Sequence, residues 1–235
     1  MNQKLLWKIE ELWKEYYSSQ QSVRIDISNN YNKEGISKYY SHFKKVTKFD
    51  FTSSEKPVFT DGYGKYFGLK YCQVIENKGK LIYLFDNHNE MIYSLVEIFG
   101  STRHLYDVVH IDAHPDDTEF IEGKIKELNL DNVSNYIYKT RISDFFDAIS
   151  EVNLIREIYR VTHSDNLEFF IPPENPYILS LDIDIFGPEG EFAEVKDKVR
   201  SIALAWGRAD AVCIAMSPGF IDQKYAAEII KIFIN

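Results

Sequence analysis

Three short segments carry acidic and histidine side chains where apolar runs come to an end. They are LFDNHNE at residues 84–90, HIDAHPDD at 110–117 and LSLDIDIFGP at 179–188. Side chains at alternate positions of an extended chain point to one side, so Asp112, His114 and Asp116 are predicted to share a face, as are Asp182 and Asp184. A buried ionised carboxylate needs a cation or hydrogen-bonding partners. A pair of divalent metal ions would meet that need for the whole set.

Each segment has a plainer explanation when it is considered alone. Asp182 and Asp184 could belong to an edge strand with solvated faces, and His88, between Asp86 and Glu90, could be an ordinary core or loop histidine. The three segments together, in order and each at the end of a predicted strand, favour a two-metal site. Carboxylate and imidazole ligands without a thiolate suit Mn²⁺ better than a structural Zn²⁺.

The hydrophobic pattern predicts alternating strands and helices from about residue 66 onward. We expect two strands, in 67–76 and 80–87, joined by a turn at 77–79. Further strands are expected in 106–112, 134–139, 176–186 and 209–217, and 154–161 could be a strand or a helix. We expect helices at 3–19, 89–100 (ended by Gly100), 117–128, 143–150, 191–205 and 222–234, with loops and short elements over most of 20–65.

This alternation predicts an α/β fold, a single-domain three-layer sandwich around a mostly parallel sheet. The domain is expected to span 1–235, with 1–65 as an N-terminal helical and loop extension packed on it. Sites in open parallel sheets lie beyond the carboxyl ends of the strands, where the three segments are expected.

Composition narrows the classes of partner and compartment. Apolar residues make up 45% of the 235 residues, which excludes a disordered chain, and the net charge of −9 disfavours a nucleic-acid surface. Cys72 and Cys213 lie in apolar runs and are expected to be buried thiols in a reducing cytoplasm. We expect no signal peptide and no membrane span. The apolar face of 3–19 is predicted to pack on the protein's own core, with a homo-oligomer or peptide-docking face as the alternative.

The segments DNHN, DAHPD and LDID resemble the three metal-ligand motifs of the arginase (ureohydrolase) superfamily. The resemblance extends from about residue 80 to the end of the chain and implies an arginase-like fold with two Mn²⁺ ions. Its first segment stands in place of the usual Gly-Gly-Asp-His. That variant is more similar to the divergent branch that includes peptide arginases, which convert arginine to ornithine within ribosomally made peptides.

The resemblance implies a role for each ligand. One ion would be held by His88, Asp112, Asp116 and Asp182, and the other by Asp112, His114, Asp182 and Asp184, with Asp112 and Asp182 bridging. Asp116 would also accept the proton of the attacking water and deliver it to the departing amine.

The family also uses a downstream glutamate to hold the substrate guanidinium. Counting back without gaps from AMSP, which resembles a family strand end, places this residue at Glu194, with Glu191 and Glu189 as close rivals. A solvated glutamate at the start of a helix is the plainer explanation for any of them.

Two family features have no counterpart in this sequence. Residues 117–138, which follow Asp116, contain no histidine that could act as a proton shuttle. His163 could substitute from another loop, although a surface position is the plainer explanation. The remaining histidines, His42, His104 and His110, are predicted to be ordinary surface or core residues. The loops that recognise the α-amino and α-carboxylate groups of free arginine are also not recognisable, which favours a larger substrate.

These observations lead to an expected function. The chain is predicted to be a binuclear manganese hydrolase that releases urea from an arginine side chain of a peptide and leaves ornithine. A small-molecule ureohydrolase acting on a free guanidine such as arginine or agmatine is the first alternative. A deacetylase, which generally keeps one metal ion, and a non-catalytic, metal-stabilised binding module also remain open.

Overall fold

A computed structural model describes residues 3–19, 43–60, 64–118 and 128–235. The helices are α1 (Gln3–Ser19), α2 (Met91–Thr102), α3 (Val133–Lys139), α4 (Phe145–Glu151), α5 (Ser164–Glu168), α6 (Val195–Arg208) and α7 (Gln223–Ile234). The strands are β1 (Lys44–Lys45), β2 (Phe59–Thr60), β3 (Lys65–Tyr66), β4 (Gln73–Asn77), β5 (Lys80–Phe85), β6 (Tyr106–Ile111), β7 (Ile155–Val161), β8 (Tyr177–Asp182) and β9 (Ala211–Ala215). Short 3-10 helices span His88–Glu90, Ile142–Asp144, Ile183–Phe186 and Pro188–Phe192.

Seven of the strands form one mixed sheet in the order β1-β4-β5-β9-β8-β6-β7. Among the described strands of this sheet, the β4–β5 pair alone is antiparallel, and it is the predicted hairpin, with Lys78 and Gly79 both at positive φ in a two-residue turn. The other pairs are parallel. This confirms the predicted α/β fold with a mostly parallel sheet.

Alternate side chains of each central strand enter two separate apolar layers. In β5, Ile82 and Leu84 pack in a layer with α1, α6 and α7, whereas Tyr83 and Phe85 pack in a layer with α2, α3 and α4. Because both faces of the sheet are covered by helices, the strands are apolar at nearly every position. The result is a three-layer arrangement of helices, sheet and helices.

The apolar face of α1 packs on the protein's own helices. Ile9 is fully buried, and Tyr16 stacks on Tyr225 of α7 with ring centroids 4.2 Å apart. Cys72 and Cys213 are buried free thiols, as the sequence predicts. Among the described residues, no helix has the length and apolar character needed to cross a membrane.

Several local predictions were wrong. Residues 134–139 form helix α3 instead of a strand, because Val133, Tyr136 and Ile137 bury one helical face although their types favour strands. Helix α2 continues past Gly100 and ends before Arg103, which has φ 57°. The predicted helix 191–205 begins at Val195 and continues to Arg208. Of the predicted helix 117–128, residues 117, 118 and 128 are not helical, and the rest lies outside the described residues.

Candidate metal centre

The strand order brings the three acidic segments to one edge of the sheet. Strands β5, β9, β8 and β6 are consecutive neighbours and all parallel. Phe85, Ala215 and Asp182 are in register across β5, β9 and β8, and Ile111 of β6 is paired with Leu181. The chain therefore leaves all four strands at nearly the same level.

The first segment places His88 in the centre of the site. Glu90 turns back and accepts hydrogen bonds from the backbone N–H groups of Asp86 and Asn87, at 2.9 and 3.0 Å. Asp86 in turn accepts one from the backbone N–H of Leu69 at 2.7 Å. Burial and the charge of Asp86 raise the pKa of Glu90 to about 8. Asp86 and Glu90 thus hold the backbone, and His88 is the side chain of this segment that reaches the other two.

The second segment does not remain extended, so the predicted alternation along a strand was wrong. Strand β6 ends at Ile111, and the chain then bends. Asp112 Oδ1 accepts a hydrogen bond from the backbone N–H of His114 at 2.6 Å, and Asp116 has φ 46°. A turn stabilised by Asp112 therefore aims these three side chains at one region.

The third segment also departs from the predicted strand. Strand β8 ends at Asp182, and Asp184 lies in the 3-10 helix that follows. Asp182 caps that helix, because its Oδ1 accepts a hydrogen bond from the backbone N–H of Asp184 at 3.0 Å. Its Oδ2 accepts one from the hydroxyl of Ser217, after β9, at 2.5 Å. Both carboxylates face the site by way of this turn.

The buried centre consists of two adjoining groups of side chains. In the first, which we call the His88 subsite, Nδ1 of His88 lies 2.9 Å from Asp112 Oδ2, 3.3 Å from Asp116 Oδ2 and 3.3 Å from Asp182 Oδ2. His88 is fully buried, and the three carboxylates are at most 6% exposed. One imidazole nitrogen therefore faces carboxylates from both other segments.

The second group, which we call the His114 subsite, adjoins the first through Asp112. Nδ1 of His114 lies 3.3 Å from Asp112 Oδ1 and 3.2 Å from Asp184 Oδ2. Asp112 thus presents one carboxylate oxygen to each histidine. The ligand-type atoms of Asp112, His114 and Asp184 lie within 4.8 Å of one another, as do those of His88, His110, Asp112 and Asp116, so each set could hold a metal ion.

The chemistry of the donor atoms fits a cation. Four buried side-chain atoms of the proposed ligands form no hydrogen bond within the described part of the chain: His88 Nδ1, Asp112 Oδ2, Asp116 Oδ2 and Asp184 Oδ1. Buried polar atoms are rarely left without a hydrogen bond, and a bound metal ion would account for all four. Carboxylate and imidazole donors are ligands that divalent transition metals accept.

The buried carboxylates and histidines of the centre shift one another's pKa values. Burial and the charge of Asp112 raise the pKa of Asp116 to about 7, and burial with the charge of Asp182 raises that of Asp184 well above its usual value. Burial disfavours charged His88, but the carboxylates around it outweigh burial and raise its pKa well above the usual value. Such strongly shifted groups in one place are typical of functional sites.

Three further side chains, beyond the predicted site residues, contact the centre. His110, expected to be a core neighbour, is fully buried with its Nε2 3.4 Å from Asp112 Oδ2, and burial lowers its pKa to about 3. Ser180 Oγ lies 2.7 Å from His88 Nε2. Ser217 binds Asp182. Alternation within β8 places Ser180 on the same face as Asp182, and that signal was available in the sequence.

The glutamates proposed to hold a substrate lie in different surroundings. Glu194 has a side chain that is 71% exposed and pairs with Lys196 at 2.7 Å. Glu191 is exposed and interacts with Tyr17 of α1. Glu189, the remaining rival, contacts Nε2 of His114. The structure thus brings Glu189, and not Glu194 or Glu191, against the centre.

The other histidines lie away from the centre or outside the described residues. His163 is exposed immediately before α5, His104 is exposed after α2, and His42 lies outside the described residues. His163 is not among the described residues that line the cavity at the centre. The proposed substitute for a proton-shuttling histidine is therefore not placed at the cavity.

A cavity of about 170 Å³ opens over the centre. Its described lining consists of Asn87, Asp112, His114, Pro115, Asp116, Asp117, Thr118, Ile142, Ser143, Asp182, Asp184, Ser217 and Phe220. Five of these residues are aspartates, and none is a lysine or an arginine. A strongly acidic cavity of this size suits a small cationic group.

Comparisons with models of known protein families, with curated proteins and with solved structures found no match.

Proposed function

We propose that this protein is a binuclear manganese hydrolase with an arginase-like fold and site. It would hydrolyse the guanidinium group of an arginine side chain within a peptide, releasing urea and leaving ornithine. The observation that carries the proposal is the convergence of the three acidic segments on the two histidine Nδ1 atoms, with Asp112 shared between the subsites.

Charge balance supports two divalent ions rather than one. Asp112, Asp116, Asp182 and Asp184 together carry four negative charges when ionised, and two Mn²⁺ ions would carry four positive charges. Burying four like charges without a cation would be very costly, whereas the complete assembly with neutral imidazoles has no net charge. His88, Asp112, Asp116 and Asp182 would hold one ion, and Asp112, His114, Asp182 and Asp184 the other.

The reaction requires a nucleophile, a proton acceptor and a partner for the cation. When bound, the ions would lower the pKa of a water molecule so that it could attack at neutral pH. Water adds to the guanidinium carbon, the bond from that carbon to the side-chain nitrogen breaks, and the products are urea and a protonated ornithine amine. Asp116 lines the cavity and would accept the proton of the water and pass it to the departing amine.

A cavity carboxylate outside both ligand sets is available for the guanidinium. Among the described aspartates that line the cavity, Asp117 alone belongs to neither set. Since guanidinium stays protonated, it needs a carboxylate partner, and Asp117, an exposed residue of the cavity lining, would provide one. We propose this role for Asp117 in place of Glu194, which points into solvent beside Lys196.

The cavity lining favours a peptide over free arginine. A free amino acid brings a charged α-carboxylate, and the described lining contains no lysine or arginine to neutralise it, only amide and hydroxyl donors such as Asn87, Thr118 and Ser143. In a peptide the same group is a neutral amide that can remain outside the cavity. The substrate proposed here is therefore the side chain of an internal arginine.

The proposal is tested by mass spectrometry of the manganese-loaded protein incubated with an arginine-containing peptide, free arginine and agmatine in one reaction. Loss of one CH2N2 unit from the peptide, with urea formed, is the expected result. Urea from free arginine or agmatine alone would assign a small-molecule ureohydrolase. Metal binding without turnover of any guanidine would instead support a binding module.

Variants locate the activity within the centre. Asp182→Asn should abolish urea formation because it removes a charge that both subsites share, and Asp117→Asn should raise KM for the peptide. Asp131→Asn changes an exposed carboxylate away from the cavity and should behave as the unmodified protein. Full turnover by Asp182→Asn would refute the two-metal site.

A further inference from the structure

Both histidines at the centre have their second ring nitrogen held by a group outside the proposed ligand sets. His88 presents Nδ1 to the carboxylates, and its Nε2 lies 2.7 Å from Ser180 Oγ. His114 likewise presents Nδ1 to the carboxylates, and its Nε2 contacts the carboxylate of Glu189. A partner at the second nitrogen of a ligand histidine sets its tautomer and its ring orientation.

The hydrogen bonds around His88 continue to a third histidine. Ser180 Oγ also lies 3.4 Å from His110 Nδ1. His110 Nε2 faces two oxygens, the backbone carbonyl of His114 at 3.2 Å and Asp112 Oδ2 at 3.4 Å. His110 is enclosed by aromatic rings, with Phe146 edge-on at a centroid distance of 4.6 Å. The ring is therefore held in one orientation inside the protein.

These contacts determine where the protons lie in the metal-binding state. A carbonyl and a carboxylate only accept hydrogen bonds, so His110 Nε2 carries a hydrogen, and Nδ1 of the neutral ring accepts. The Ser180 hydroxyl must then donate to His110 Nδ1 and accept from His88 Nε2–H. This leaves the lone pair of His88 Nδ1 free for a metal ion. The hydrogen bonds therefore run from His88 to Ser180, from Ser180 to His110, and from His110 to the backbone carbonyl of His114.

We propose that Ser180 and His110 are positioning residues for His88, that Glu189 is the positioning residue for His114, and that each metal subsite therefore has its own support. The inference rests on the metal centre of the proposed function but not on its substrate. It gives His110 a role through Ser180, and it makes Glu189 a hydrogen-bond partner of a ligand rather than a substrate-binding group.

Mn²⁺ titrations in single-subsite variants test the inference without an activity measurement. Asp184→Asn disrupts the His114 subsite and keeps the His88 subsite intact. Asp116→Asn disrupts the His88 subsite and keeps the His114 subsite intact. Loss of a ligand's hydrogen-bond partner commonly lowers metal affinity ~10–100-fold. We expect His110→Phe to lower Mn²⁺ affinity in the Asp184→Asn background only. Glu189→Ala should lower Mn²⁺ affinity in the Asp116→Asn background only. The affinities are read by calorimetry and by electron paramagnetic resonance of free Mn²⁺.

A conservative variant separates positioning from direct ligation. Asn at position 110 places an amide oxygen near the former Nδ1, where it can accept from Ser180, but it does not reach the position of Nε2. His110→Asn should therefore retain most of the affinity that His110→Phe loses. If His110→Asn loses as much as His110→Phe, His110 acts through Nε2 and the relay is wrong.

The remaining outcomes are also decisive. Equal losses in both backgrounds would refute independent supports, and unchanged affinities would refute any positioning role. If the unmodified protein binds no Mn²⁺, the inference and the metal centre of the proposed function both fail. If it binds two ions and the variants behave as expected but no guanidine is hydrolysed, only the proposed reaction fails.

Discussion

Manganese is expected to stabilise the folded protein, and Asp112→Asn is expected to remove that effect. Asp112 contacts both histidines, with Oδ2 2.9 Å from His88 Nδ1 and Oδ1 3.3 Å from His114 Nδ1. Asparagine retains the shape of the side chain and can still accept the backbone N–H of His114. It lacks the negative charge and the second oxygen, so neither subsite remains complete.

The size of the effect follows from the linkage between binding and folding. A ligand that binds only the folded state at a thousand times its Kd raises the free energy of unfolding by about 4.1 kcal/mol. In a chain of this length each kcal/mol shifts Tm by about 2–4 °C, so one occupied subsite should raise Tm by about 8–16 °C. The second subsite adds to that shift, because the complete centre neutralises all four buried carboxylates.

Thermal unfolding followed by circular dichroism, with Mn²⁺ added and then removed by a chelator, measures this shift. Asp131→Asn, which changes an exposed carboxylate, should keep the full shift. Asp112→Asn should unfold at the same temperature with and without Mn²⁺. A full manganese shift in Asp112→Asn, or no shift in the unmodified protein, would refute the reasoning that these carboxylates hold metal ions.

Three further predictions concern the centre and its surroundings. Mn²⁺ affinity should fall as the pH is lowered from about 8 to about 6. The pKa of Asp116 is raised to about 7 and that of His88 is also raised, so each must lose a proton before the metal ion binds. Equal affinities at the two pH values would contradict this. Gly68→Ala should lower the free energy of unfolding in urea by ~1–3 kcal/mol, since a Cβ atom at position 68 would clash with the carboxylate of Asp86. The control variant Gly100→Ala places its Cβ atom in open space and should not destabilise the fold. Glu194→Gln should leave kcat/KM for the peptide unchanged because Glu194 is exposed, and a large loss would return the guanidinium-binding role to it.

The central strands and the long helices α1 and α7 were predictable from the sequence, whereas the short helices α3 and α5 were not. Central strands such as β8 and β9 are buried on both faces and are largely apolar, so their approximate positions follow from the residue pattern. Helix α3 was mistaken for a strand because Val133, Tyr136 and Ile137 favour strands intrinsically. Packing of one helical face against the adjacent layer outweighed that preference.

The candidate site was predictable in its residue types but not in its local geometry. Acidic and histidine side chains at the ends of apolar runs narrowed the candidates, and the resemblance to the arginase superfamily selected the six proposed ligands among them. The bends after Ile111 and Asp182 were not predicted, since they depend on hydrogen bonds from the aspartates to the backbone. Local side-chain contacts of this kind leave little trace in a hydrophobic pattern.

The sequence by itself determined most of the alternating elements, the apolar character of the central strands and the three acidic segments at strand ends, because these depend on residue type and on spacing of a few positions. Only the tertiary structure decided that β5, β9, β8 and β6 lie side by side, and this order brings together side chains almost a hundred residues apart. It also decided that His110 and Glu189 contact the centre while Glu194 does not. Burial and distance between remote residues arise from packing of the whole chain, and no local pattern encodes them.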